Sequence, residues 1–260
     1  MNEDADATLA LLADLTAAAD PRLRELARRL AAQVFVDLAA RGPTRARGTG
    51  RMATVPYRPD RGDLDLDRSS DAIVVAHATS SAVDPEHLGV RAWTTPHTAW
   101  CLLVDRSGSM GGRPLAAAGL AAATIAGSAA TGHVSVLSFA QRVIAVTTLA
   151  EQHPVEEVID RVLTLRGHGT TDVAAALRAA GAQLAGSRAR RRITVLLSDC
   201  RATEPGDVVA AARALDELVI IAPRDDSDDA ALLADAAGAR WTTVSGPSDV
   251  AAAFDEVLTR

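Results

Sequence analysis

The chain has 260 residues, of which 48% are hydrophobic and 23% charged. That is enough to bury a sizeable core and is a globular rather than a disordered composition. A formal net charge of −6 argues against a nucleic-acid binder that works by bulk positive charge. Lysine is absent and alanine is heavily used, which reads as the codon bias of a GC-rich genome. Cys101 and Cys200 both lie in apolar runs and cannot form a disulfide framework, as suits a reducing compartment. The acidic start, Met1-Asn2-Glu3-Asp4, is not a signal-peptide pattern. Apolar stretches such as Val195-Leu196-Leu197 fall far short of the roughly 20 residues of a membrane span. The expectation is a soluble cytoplasmic protein with neither a membrane nor a nucleic acid as partner.

Residues 6–40 read as two helices. Asp20 and Pro21 suit the cap and first position of the second, and Leu23, Leu26, Leu30 and Val34 recur on one face at helical spacing. Gly42-Pro43 stops it, and the Arg-, Gly- and Pro-rich stretch to Gly62 reads as an exposed connection. Asp63-Leu64-Asp65-Leu66-Asp67 alternates like a strand or an extended acidic arm, and Ile73–Ala76 is a short strand candidate. From Trp100 the texture changes. Trp100–Val104 is an unbroken apolar run, as in a strand covered on both faces, and an Ala-rich helix follows over about 114–130. A strand at His133–Phe139 is joined by a short connection to Arg142–Thr148, which therefore pairs antiparallel at a sheet edge. Helices near Val155–Leu165 and Val173–Ala185 precede a buried strand at Ile193–Ser198. Helix, strand, helix, strand and helix then alternate to Leu258. The pattern predicts an α/β fold with a doubly wound, mostly parallel sheet, one antiparallel edge strand and an N-terminal helical extension.

The first buried strand ends in Asp105-Arg106-Ser107-Gly108-Ser109-Met110-Gly111-Gly112, and Ile193–Ser198 runs into Asp199. A third polar cluster, Gly167-His168-Gly169-Thr170-Thr171-Asp172, opens a helix. Ligands of open α/β sheets sit beyond the carboxyl ends of the strands. If the two Asp-bearing strands are neighbours, two carboxylates and three hydroxyls converge, with no lysine to neutralise them. Hard oxygen donors of this kind suit Mg²⁺ or Mn²⁺. Singly, such residues are ordinary caps and turn formers; their order at successive strand ends points to a site.

Asp105-x-Ser107-x-Ser109, then Thr171, then Asp199 resembles the metal-ion-dependent adhesion site of the von Willebrand factor A family. The resemblance spans about residues 96–260 and includes the run from Gly238 to Val250. It implies that Ser107, Ser109 and Thr171 supply hydroxyls around the ion, with Asp105 and Asp199 acting directly or through water. Thr171 rather than Thr170 is matched through its place before Asp172-Val173, and Cys200 stands where many relatives have glycine. Residues 96–260 are thus the domain and 1–95 its helical extension and linker, either attached to it or a separate docking element. Gly62–Asp67 followed by Leu102–Met110 further resembles bacterial intracellular members coupled to MoxR-type AAA+ ATPases, some related to the magnesium chelatase D subunit. That implies a non-enzymatic adaptor whose ion meets an acidic residue of an ATPase or its client.

Two other functions compete. A metal-dependent phosphotransferase or hydrolase with Asp105 as nucleophile would want a second carboxylate or a lysine nearby; Ser107 stands two residues on and lysine is absent. An extracellular adhesion domain would want a signal sequence or disulfides. Asp63, Asp65 and Asp67 imitate the start of a calcium loop, but Arg68 takes the glycine position and Val74 the glutamate position. Arg61-Gly62-Asp63 is too short a match to carry meaning. Of six histidines only His168 falls near the site. Arg188 and Arg190–Arg192 form a basic run, and Asp225–Asp229 an acidic loop, both read as solvated.

Overall fold

The structure is a computed structural model, which describes residues 2–16, 21–41, 51–57, 63–94, 98–107, 112–128, 133–151, 153–167 and 169–259. The chain divides into two compact units, Met1–Ala46 with His97–Arg260, and Arg47–Pro96.

The smaller unit pairs β1 (Arg51–Pro56), β2 (Asp63–Leu64) and β3 (Gly89–Thr94) in the order β1-β3-β2, all antiparallel, and adds α3 (Leu66–Ala78). Two expectations are corrected here. The stretch before Gly62 contains strand β1, whose hydrogen-bonding partner lies far downstream, beyond α3, and is therefore invisible to local pattern. Ile73–Ala76 is helical, because Asp65 caps α3 by accepting the N–H of Arg68 and a four-residue apolar run fits either element. Asp65 is buried, also takes the hydroxyl of Thr54, and lies 3.7 Å from the Arg91 guanidinium. The acidic alternation is thus a two-residue strand followed by a cap, not an extended arm.

In the larger unit a six-stranded sheet has the order β6-β5-β4-β7-β8-β9. Its strands are β4 (Thr98–Asp105), β5 (His133–Phe139), β6 (Val143–Thr147), β7 (Arg191–Leu197), β8 (Glu217–Pro223) and β9 (Arg240–Val244). All pairings are parallel except β5 with β6, the antiparallel edge pair. Side chains alternate across β4 as strand geometry demands. Trp100, Leu102 and Val104 join the core beneath α4 (Gly112–Ser128), α5 (Val155–Leu163) and α9 (Val250–Thr259). Ala99, Cys101 and Leu103 join the core beneath α6 (Val173–Ala185), α7 (Val208–Arg213) and α8 (Asp228–Ala237). Burial pushes the Cys101 thiol up to about 12, so it stays protonated and behaves as a small apolar side chain.

Helices α1 (Asn2–Leu15) and α2 (Pro21–Arg41) pack on α4, α2 also on α5, and both share the first of those cores. The face of α2 that does so includes Ala27, Ala31, Phe35 and Ala39; of the periodic set Leu23, Leu26, Leu30 and Val34, the leucines are 43%, 65% and 52% exposed and Val34 packs against that core. Small residues allow close helix approach, and Phe35, fully buried, fills the gap opposite Gly119 of α4. Two carboxylates of α1 reach other helix starts. Asp14 accepts the N–H of Gly112, the first residue of α4, at 2.6 Å. Asp6 accepts the N–H of Ser248, in the 3-10 turn that leads into α9, at 2.8 Å.

The basic run lies at the amino ends of the strands, where Arg191 forks onto Glu217 at 2.8 and 2.7 Å and Arg192 pairs with Asp216. Arg240 joins Glu217 from β9 at 2.8 Å. No described helix is long and apolar enough to cross a membrane.

Candidate metal centre

Chain order reverses about β4. From β4 the chain passes to β5 and β6 on one side, then returns to β7 on the other. This is the switch point at which doubly wound sheets open a crevice beyond their strand ends. Asp105 is the last residue of β4, and Asp199 follows β7, whose Leu197 is in register with Val104. The two Asp-bearing strands are direct neighbours.

Ser198, which the sequence did not single out, lies between these carboxylates. Its hydroxyl donates to Asp105 Oδ2 at 2.5 Å and accepts the N–H of Cys200 at 2.9 Å. Asp105 Oδ1 accepts the N–H of Ser107 at 2.8 Å, folding the chain back at the strand end. Asp199 Oδ1 accepts the N–H of Arg201 at 2.9 Å. Burial pushes the Asp199 carboxyl above the usual carboxylate range, and the negative charges of Asp105 and Asp226 add to this, against the pull of Arg201. Cys200 has φ of 63°, the left-handed region that glycine adopts without penalty; this is the position where the resemblance expects glycine.

The third loop crosses the end of β4. Asp172 N–H donates to Ala140 O, just past β5, at 2.9 Å. Thr171 is tied to the loop after β7: its N–H donates to Thr203 Oγ1 at 2.7 Å, and its carbonyl accepts the N–H groups of Thr203 and Glu204 at 3.0 and 3.1 Å. Since β4 lies between β5 and β7, Thr171 sits over the strand that ends in Asp105. The register of the two threonines can be distinguished. Thr170 is exposed and its hydroxyl is 2.5 Å from Glu204 Oε1, whereas Thr171 is 4% exposed and no described protein group takes its hydroxyl.

Asp105, Ser107, Thr171 and Asp199 are therefore gathered at one end of the sheet. Ser109 and His168 lie outside the described residues. Among the described residues no arginine side chain pairs with Asp105 or Asp199; Arg201 turns instead to Asp226 at 2.7 Å and Asp229 at 3.7 Å in the acidic loop. Nor do the described residues hold a group of three or more His, Cys, Asp or Glu side chains able to bind a metal. The donor set is two carboxylates and hydroxyls, which is hard-oxygen chemistry suited to Mg²⁺ or Mn²⁺ and poorly suited to zinc. Ser198 and Thr203 were beyond reach of sequence reading because their partners are 93 and 32 positions away.

A doubly wound α/β domain with carboxylates and hydroxyls at its switch point is the class so defined. Within it, residues 101–202 match the profile of the von Willebrand factor type A domain. No curated protein matches the chain. Among solved structures, the chain is similar to the von Willebrand factor type A protein from Catenulispora acidiphila, with 20% identity and a TM-score of 0.52 over 63% of this chain and 42% of that one. It is similar also to a mutant of the PilB minor pilin from Streptococcus sanguinis, with 10% identity and a TM-score of 0.52 over 66% and 64% of the two chains. An aerotolerance-related membrane protein from Bacteroides fragilis NCTC 9343 gives 14% identity and a TM-score of 0.50, over 63% of this chain and 98% of that one. At these identities the likeness is one of fold. The chain spans under two thirds of the Catenulispora and Streptococcus chains.

Proposed function

We propose that this protein is a metal-dependent protein-binding module. Asp105, Ser107, Ser109, Thr171 and Asp199 hold one Mg²⁺ or Mn²⁺ at the switch point and present it to an acidic residue of a partner protein. The observation that carries this reading is the pairing of two carboxylates around Ser198 with no cationic side chain among the described residues paired to either, beside the buried Thr171. Two half-buried carboxylates side by side gain from a counter-charge, and a divalent ion supplies it. Neutral hydroxyl donors leave such an ion electrophilic, ready for one more carboxylate oxygen. Without the ion, Asp105 and Asp199 repel that same carboxylate, so the interface is switchable.

The protein acts by binding rather than catalysis on this reading. Both oxygens of Asp105 are engaged, by Ser107 and Ser198, which blunts it as a nucleophile. The partner is an AAA+ ATPase of the MoxR or chelatase-like kind, or its client, and the compartment is the cytoplasm; support for both comes from the sequence resemblance. The test is a pulldown from cell extract with wild type and Asp105→Ala, each with Mg²⁺ and with EDTA, beside calorimetric titration of both proteins with Mg²⁺ and Mn²⁺. Partner capture only by wild type with metal supports the proposal. The same partners in all four lanes, with no heat of metal binding, would sink it.

A further inference from the structure

The loop after β7 does more than carry Asp199. Four residues beyond that carboxylate, Thr203 takes both backbone groups of Thr171: its Oγ1 accepts the Thr171 N–H at 2.7 Å and its own N–H donates to the Thr171 carbonyl at 3.0 Å. Glu204 adds a second N–H to that carbonyl at 3.1 Å, and its carboxylate meets the Thr170 hydroxyl at 2.5 Å. On its other side the segment is held through Asp172, at Ala140. The approach to Thr171 runs through Gly169, whose φ of 91° is one that glycine adopts without steric cost. The direction of the Thr171 hydroxyl is thus fixed from outside its own loop.

We infer that Thr203 is a positioning residue for the metal centre, locking the loop that bears Thr171 to the loop that bears Asp199 so that their donor atoms are presented together. The inference rests on the metal-binding reading above. Thr203 is exposed and would touch no ion; it acts through the Thr171 backbone. With both backbone groups of Thr171 consumed, its side-chain hydroxyl is the group left for a ligand. Thr203→Val keeps the shape and removes the acceptor, while Thr203→Ser keeps the acceptor. Outer-shell partners of this kind are typically worth about 10–100-fold in metal affinity.

The experiment is Mn²⁺ titration of the full chain by calorimetry, with the metal-free unfolding midpoint of each variant measured in parallel. The expected result is binding weakened about tenfold or more in Thr203→Val and within about twofold of wild type in Thr203→Ser. A merely structural role would move the unfolding midpoint and leave the Mn²⁺ affinity of the folded protein where it was. Should Thr203→Val fail to fold, Thr203→Ala gives the same comparison, since water can reach the Thr171 N–H at this exposed position. Wild-type Mn²⁺ affinity in a folded Thr203→Val or Thr203→Ala, with binding abolished in Asp105→Ala, overturns the role of Thr203 and leaves the metal site standing. Absence of Mn²⁺ binding by wild type itself overturns both.

Discussion

Gly119→Ala tests whether the N-terminal helices belong to the domain that carries the site. Gly119 lies inside α4, where alanine is normally better than glycine by about 1 kcal/mol. A Cβ there would stand 2.6 Å from Phe35 Cε2, 3.0 Å from Phe35 Cδ2 and 3.3 Å from Leu163 Cδ2. Carbon atoms pack at about 3.5–4.0 Å, and neither Phe35 nor Leu163 has exposed surface into which to retreat. Overpacking of this kind costs about 1–3 kcal/mol, which offsets or exceeds the propensity gain, and the net change is a destabilisation of up to about 2 kcal/mol. Gly127, in the same helix, has no atom within 4 Å of the place a Cβ would take, and Gly127→Ala is the control that gains propensity without the clash. Urea unfolding of both variants, with Phe35→Leu alone and combined with Gly119→Ala, gives the comparison. The clash predicts that Gly119→Ala costs less in the Phe35→Leu background than in wild type. Equal or greater stability of Gly119→Ala, matching Gly127→Ala, would refute the seating of α2 on α4.

Three further outcomes follow from local geometry. Hydrogen bonding from Arg191, aided by Arg240, holds the Glu217 carboxyl below its usual 4.5; a carboxylate so depressed stabilises the fold above its unfolded value and ceases to as pH falls through the folded one. Glu217→Gln should therefore cost about 1 kcal/mol at neutral pH, and its unfolding curve should converge on wild type as pH falls from the usual carboxylate range through the lowered folded value. Gly238 ends α8 with φ of 69° and open space around it, so Gly238→Ala should cost about 1 kcal/mol from backbone strain alone, read as a lower urea midpoint. In the smaller unit the Thr54 hydroxyl, first among its neighbours, lowers the Asp65 carboxyl; Asp65→Ala should speed amide exchange in the first turn of α3, and acidification through the folded value should do the same in wild type.

The alternation of buried runs and helices made the larger sheet legible, because the central strands β4, β7 and β8 carry long apolar runs and the crossovers carry their own helical period. The meeting of Asp105 and Asp199 was legible for a related reason: a doubly wound sheet gathers the residues that follow its strand ends, and these two stand at the ends of neighbouring strands. In α2 the residues that periodicity marks, Leu23, Leu26, Leu30 and Val34, stand out by size, whereas the contact with α4 is made largely by Ala27, Ala31 and Ala39 with Phe35. The antiparallel sheet of residues 47–96 was hidden since β1 and β3 are short, interspersed with arginine, threonine and proline, and paired across a helix. Ser198 and Thr203 reveal their work only once the strands that carry their partners are side by side.

Family likeness ends in a different place from physical integrity. The matched stretch covers residues 101–202, yet α1 lies outside it and supplies an anionic cap to the start of α4 through Asp14 and to the turn before α9 through Asp6. A fragment trimmed to the matched residues would forfeit the charge that complements the positive end of α4 and would bare the alanine surface that α1 and α2 cover. It would also lack β8, β9 and α9 altogether, and with them the turn that Asp6 caps. The stretch that aligns is here tied at two helix starts to one short helix outside it, so the smallest unit worth expressing is larger than the smallest unit that can be aligned.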